Sequence, residues 1–323
     1  MKIDIKFRAP SPEIRWEPEP RSRFIAAYAL IRHQQMNCAH LTARAEDRSL
    51  VQLFAKIAME EESALAELAS LFEPTAGPLE RILACELAAI LELVEMALIA
   101  EYAPAKEAFE AMAIDHAFQA SKFYSFNPNI NLGYAELLDD LAERPIVKSP
   151  DEVPLPSEIP AKRYDKDFVD PLTLTQISSG AALEALIIEQ LRHVMKVFHD
   201  LEARKLCGWF AVSCCSRMAS LVSMADPRET PLERAIPSEV AEIAGIEVAL
   251  GSAEDPAVRG ALTLALNQNR DHLSALDEEF RRLEGRYPGR LTALPPRRRP
   301  TITAADYLSA LIDRLGIERK KAA

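Results

Sequence analysis

Glycine is scarce in this chain, with 10 among 323 residues and none before Gly77. Tight turns and phosphate-cradling loops depend on it, and the motifs built on it are missing. There is no G-x-x-x-x-G-K-S/T, no G-x-G-x-x-G and no G-x-S-x-G. Nucleotide-binding loops and the hydrolase nucleophile elbow are therefore not expected. No apolar run reaches the roughly 18 residues of a membrane span. The opening MKIDIKFRAP has no apolar core segment, so a secretory signal is not expected. The five cysteines, Cys38, Cys85, Cys207, Cys214 and Cys215, are odd in number and form no C-x-x-C pair. Reduced, buried thiols in a cytoplasmic protein are expected, rather than a disulfide framework or a zinc ribbon.

What the chain has in quantity is Ala, Leu and Glu, and 49% of its residues are hydrophobic. That composition favours helix over sheet and supplies a sizeable core. The net charge is −11, unevenly spread. The segment from Arg281 onward carries +7, which leaves −18 on the body before it. An acidic body argues against nucleic acid as the partner.

The first 21 residues alternate Ile3, Ile5 and Phe7 with charges, then carry Pro10, Pro12, Pro18 and Pro20. They read as a short extended arm. Four amphipathic helices are expected next: about 22–47, 49–72, 78–102 and 104–126. Residues 144–171 hold six prolines among charges and read as a linker. Beyond it, helices are expected over about 173–206, with a break near Gly208, then 209–224, 238–250 with Ser238 as N-cap, and 255–283. Pro227, Pro231 and Pro237 are expected to punctuate a loop. The PPRRRP segment at 295–300 is a stiff basic linker leading to an amphipathic helix capped by Thr303. That last helix is a candidate docking element for the chain's own body, a second subunit or a protein partner.

Two carboxylates fall inside apolar stripes. Glu61 lies four residues after Ile57, and Glu86 has apolar neighbours at three, four and seven residues on both sides. His116 sits among Phe109, Met112, Ala113, Ala120 and Phe123. A lone buried carboxylate costs several kcal/mol unless it is paired, protonated or bound to a metal ion. Glu61, Glu86 and His116 are therefore the candidate metal ligands, expected to converge in one bundle core. Hydrogen-bonded core pairs are the competing reading. His33 and His40 share a face turned away from the core. Glu189 and His193, four apart, read as a helix-surface pair or as two further ligands.

The segments LVQLFAKIAMEEESALAELASLF, LACELAAILELVEMA and AFEAMAIDHAFQASKFY resemble the second, third and fourth helices of the ferritin-like superfamily, in particular rubrerythrin-type bundles. Such bundles carry a metal-ligating Glu on each of two helices and Glu-x-x-His on each of the other two. The resemblance covers roughly residues 22–126. Of the six usual ligands, Glu61 and Glu86 match. Ala64 stands at one histidine position, His116 and Gln119 replace a Glu-x-x-His pair, and Ile31, Arg32 or His33 occupies the turn of the first glutamate. In the second half, DPAVRGALTLALNQNRDHLSALDEEF resembles a ligand-bearing helix, with Asn269-x-x-His272 in place of Glu-x-x-His.

The resulting expectation is an all-α protein: an extended arm (1–21), a ferritin-like four-helix bundle (22–143), a proline-rich linker (144–171), a second helical domain, a diverged ferritin-like unit (172–294), and a basic linker with a C-terminal helix (295–323). The resemblance implies an iron or manganese protein, acting if an enzyme as an iron-dependent oxidoreductase, and a homo-oligomer. The alternative is a metal-free scaffold or binding protein that has lost the site. No nucleic acid or membrane partner is expected.

Overall fold

The computed structural model describes residues 16–72, 77–126, 171–224, 230–283 and residue 310. Eight helices run through the described residues, which contain no strand. They are α1 (Pro18–Thr42), α2 (Arg48–Phe72), α3 (Pro78–Ile99), α4 (Ala103–Phe126), α5 (Pro171–Val197), α6 (Leu201–Val222), α7 (Pro231–Ser252) and α8 (Pro256–Leu283). The all-α expectation holds. Residues 1–15, most of the proline-rich linker and the basic C-terminal linker lie outside the described residues, as does all but residue 310 of the terminal helix.

Several boundaries differ from the sequence reading, each for a local reason. Pro18 opens α1 rather than stopping it. Proline has no N–H to lose in a first turn, and its φ is already helical. The long helix expected over 173–206 ends at Val197, and Asp200 caps a new one by accepting from the Ala203 N–H at 2.7 Å. Gly208 lies inside α6. Helix α7 starts at Pro231, where Thr230 and Glu233 form a capping box. Pro237 and Ser238 fall within it. The proline forgoes one bond, to the Glu233 carbonyl, and the fixed start carries the helix past it.

Packing sorts the helices into two sets of four. α1 and α2 pack on α7 and α8, while α3 and α4 pack on α5 and α6. Within each set the pairing is the same: the two hairpins lie side by side, first helix on first helix and second on second. The four helices expected to form one bundle over 22–143 are thus divided between the sets. The sets meet along α1, α3, α5 and α7. Helix α3, in contact with α1, α4 and α5, is buried almost all round, as an apolar helix of that kind must be. Arg23 of α1 is 5% exposed and ties the join, bonding Glu92 of α3 at 2.6 Å and both oxygens of Glu95. On the other side of α1, Gly245 of α7 lies against Leu30 and Ala27, where a β-carbon would meet the Leu30 side chain.

The core of the first set has two apolar parts. One holds Phe24, Ile31, Leu65, Leu68, Ile246 and Leu262. The other holds Cys38, Phe54, Ile57, Ile236, Leu276 and Phe280. Between them, on all four helices, lies a layer of buried polar residues.

Candidate metal centre and its charge-closed counterpart

That polar layer contains Gln34 of α1, Glu61 of α2, Glu239 and Glu242 of α7, and Asn269 and His272 of α8, all buried. Helical periodicity places them there. Glu61 sits between Ile57 and Leu65, four residues from each. Asn269 and His272 sit on the stripe Leu262, Leu266, Leu276, Phe280. Glu239 and Glu242 share a face with Ile236, Val240 and Ile246.

Ligand atoms of Glu61, Glu239 and His272 all lie within 4.8 Å of one another. The His272 Nδ1 is 3.0 Å from Glu61 Oε1 and 3.4 Å from Glu239 Oε1, within ion-pair range of both but without hydrogen-bond geometry to either. Its other nitrogen, Nε2, is 2.8 Å from Glu60 Oε2 at the rim of the layer. An outer carboxylate on one ring nitrogen fixes the imidazole and aims the other inward. Both oxygens of Glu61, Glu239 Oε1, Glu242 Oε2 and Asn269 Oδ1 are likewise buried without a hydrogen-bond partner. The second Glu239 oxygen accepts from the Gln34 amide at 2.6 Å, and the Asn269 amide donates to Glu242 Oε1.

Glu61 and Glu239 thus face the imidazole from inside the layer, with Glu242 close behind them. Burial pushes the Glu242 carboxyl well up, and the charges of Glu61 and Glu239 push it further. Burial also raises Glu239, against the pull of His272. Burial would lower His272, but the surrounding carboxylates override it and hold it at about 10. Buried polar atoms are normally bonded, and buried charge is normally neutralised. A divalent cation answers both deficits at once. Oxygen donors with one imidazole suit iron(II) or manganese(II), with zinc a competitor.

The second set contains a polar cluster of opposite character. His116 of α4 stands between two carboxylates: its Nδ1 is 2.6 Å from Glu86 Oε2 of α3, and its Nε2 is 3.0 Å from Glu184 Oε1 of α5. Arg217 of α6 grips Glu184 with two nitrogens, at 2.6 and 3.1 Å. It also donates to Ser213 Oγ at 2.8 Å and Cys214 Sγ at 3.0 Å, and pairs with Asp115 at 3.5 Å. With its amide oriented to satisfy both ends, Gln119 donates to Glu86 Oε1 at 3.0 Å and accepts from Arg217 at 3.1 and 3.2 Å. Burial opposes every charge here, yet the partners prevail for three of them, Arg217 being raised above its ordinary value chiefly by Glu184. Burial would raise Glu184, but Arg217 and His116 pull it down to about 2. Burial would lower His116, but Glu184 and Glu86 hold it at about 9. Glu86 stays raised, because burial outweighs His116.

The sequence-derived ligands are therefore divided. Glu86 and His116 meet; Glu61 has its partners on α7 and α8. The single convergent site expected from Glu61, Glu86 and His116 is corrected to two clusters, because α2 packs mainly on α1 and α8. Of the resemblance-based pair Asn269 and His272, both point into the Glu61 layer. Glu189 and His193 are exposed, and Glu189 pairs with Arg32 at 3.4 Å. His40 is exposed and His33 half-buried, where burial lowers its pKa to about 4. Cys214 belongs to the second cluster, and Cys215 is half-buried; both are free thiols.

Glu239, Glu242, Glu184 and Arg217 were missed as site residues. A signal for two of them existed: Glu239-x-x-Glu242 interrupts the apolar run from Ala235 to Ala249 as Glu61 interrupts its own. No family model matches the chain, and neither does any curated protein or solved structure.

Proposed function

We propose that this is a metal-binding protein of ferritin-like type, holding iron or manganese between α2, α7 and α8. Glu61, Glu239 and His272 are the ligands, with Glu242 and Asn269 as the adjoining oxygen donors. The observation that carries this reading is the set of six buried polar atoms on these five residues that make no hydrogen bond, three of them held only by the ion pairs of His272. Glu60 orients His272, Gln34 orients Glu239, and the apolar parts on either side keep water out. A bound iron ion would supply one-electron redox chemistry in a dry, carboxylate-rich site, which places iron-dependent oxidation as the reaction class.

The competing reading is a metal-free scaffold. It is favoured by the second cluster, where the same kind of layer is satisfied by protein groups alone, and it requires the surplus carboxylates to hold protons. Elemental analysis after anaerobic loading with Fe²⁺ or Mn²⁺ decides between them. The metal reading expects stoichiometric metal in the wild type and loss of it in Glu61→Gln. Wild-type protein that takes up no metal, and whose melting temperature is unmoved by it, would overturn the reading.

A further inference from the structure

Three of the hairpins carry their inward polar positions at one spacing. From Glu239 to Asn269 and His272 the separations are 30 and 33 residues. They are the same from Glu184 to Cys214 and Arg217, and from Glu86 to His116 and Gln119. In the first hairpin Ile31, Glu61 and Ala64 fall at those separations. The last two hairpins correspond without a gap at an offset of 55 residues. α5 ends at Val197 and α7 at Ser252, while α6 begins at Leu201 and α8 at Pro256. Asp200 and Asp255 stand at the same place before the second helix, each accepting from the N–H three residues on. Glu184 thus occupies the place of Glu239, and Arg217 the place of His272.

We infer that the second cluster is the repeat counterpart of the first, with the Arg217 guanidinium serving as a built-in cation in what is otherwise a latent divalent-metal site. Three observations converge on this. The register puts Arg217 where the first set has an inward imidazole. Its guanidinium takes Glu184 in the two-pronged manner that suits a planar cation and a carboxylate. Finally, the side-chain atoms of Glu86, His116, Glu184 and Arg217 are all hydrogen-bonded, whereas the first cluster has six polar atoms that are not. The donor types are the same in the two layers, carboxylates with one imidazole, and the second layer has a resident positive group. Removing it leaves Glu86, His116 and Glu184 as donors for a hard divalent ion. For the ion's identity the inference rests on the metal reading of the first cluster.

The test silences the first cluster and opens the second. Glu61→Gln and the double variant Glu61→Gln/Arg217→Ala are titrated with Mn²⁺, followed by calorimetry and by the electron paramagnetic resonance signal of free Mn²⁺. The double variant is expected to bind Mn²⁺ at least tenfold more tightly than Glu61→Gln, with a rise in melting temperature. Equal binding by the two would overturn the inference. Wild-type protein titrated alongside tests the first cluster separately, so failure there and failure here are distinguishable. If the double variant does not fold alone, it is refolded with Mn²⁺ or with dilute guanidinium chloride. Recovery of helicity with Mn²⁺ supports the inference. Recovery with guanidinium alone, or with neither, overturns it.

Discussion

The Nδ1 of His272 lies 3.0 Å from Oε1 of Glu61, an ion pair without hydrogen-bond geometry. In cluster two the comparable pair, His116 and Glu86, is 2.6 Å apart and hydrogen-bonded. The same residue types at similar distances thus do different things, and what separates them is the group opposite: Arg217 in one case, two further carboxylates in the other.

Glu61→Gln should separate metal binding from folding. The amide keeps the shape and removes one carboxylate from a layer where burial already raises Glu239 and Glu242. Relief of crowding among the buried carboxylates is expected to stabilise the metal-free protein by ~1–3 kcal/mol. The stabilisation that Fe²⁺ or Mn²⁺ gives the wild type should vanish. Thermal melts with and without chelator check both halves, and a Glu61→Gln protein that melts below the metal-free wild type would count against the crowded-carboxylate picture.

Glu60 holds His272 from the rim, where it is 37% exposed. Glu60→Ala is expected to weaken metal binding by about 10–100-fold through the freed imidazole. The fold should be nearly unaffected, since Glu60 is partly solvated. Metal titration beside a denaturant curve makes the measurement; unchanged affinity would remove Glu60 from the site.

The charge-closed cluster predicts a pH window. Glu184 is held at about 2, below its ordinary 4.5, so its contribution is present above pH 4.5 and lost as pH falls toward 2. His116 is held at about 9, above its ordinary 6.5, so its contribution is full below pH 6.5 and lost as pH rises through 9. The stability difference between wild type and Glu184→Gln should therefore be flat between about pH 4.5 and 6.5 and shrink on both sides. A difference that keeps growing above pH 9 would contradict the ion pairing. Arg217→Ala, which strands Glu184, is expected to cost about 3–5 kcal/mol at pH 6.

Gly245→Val tests the contact of α7 with α1. A β-carbon there meets the Leu30 side chain, and overpacking of this kind costs about 1–3 kcal/mol. Urea unfolding measures it. A smaller loss would mean that Leu30 turns aside without strain.

Much of this was legible in the chain. Apolar spacing located α2, α3, α4 and α8 to within a few residues, because a buried helical face must recur every three to four positions. The same spacing marked Glu61, Glu86 and His116 as buried, and all three are at 0% exposure. Elsewhere the local signals competed. Pro237 and Ser238 suggested a loop end, but the Thr230 capping box upstream had already committed the segment to helix. Gly208 suggested a break, but Asp200 offered the stronger one.

By itself, then, the sequence determined that the described residues are helical and which side chains turn away from water. Only the tertiary structure decided which of those side chains meet. Periodicity assigns a residue to a face of its own helix; it carries no information on which helix that face will touch. Whether Glu61 joins Glu86 or His272 depends on α2 packing against α8, about 200 residues away in the chain. That choice is made by the fit of whole apolar surfaces around α1, and the position of the ligands follows from it.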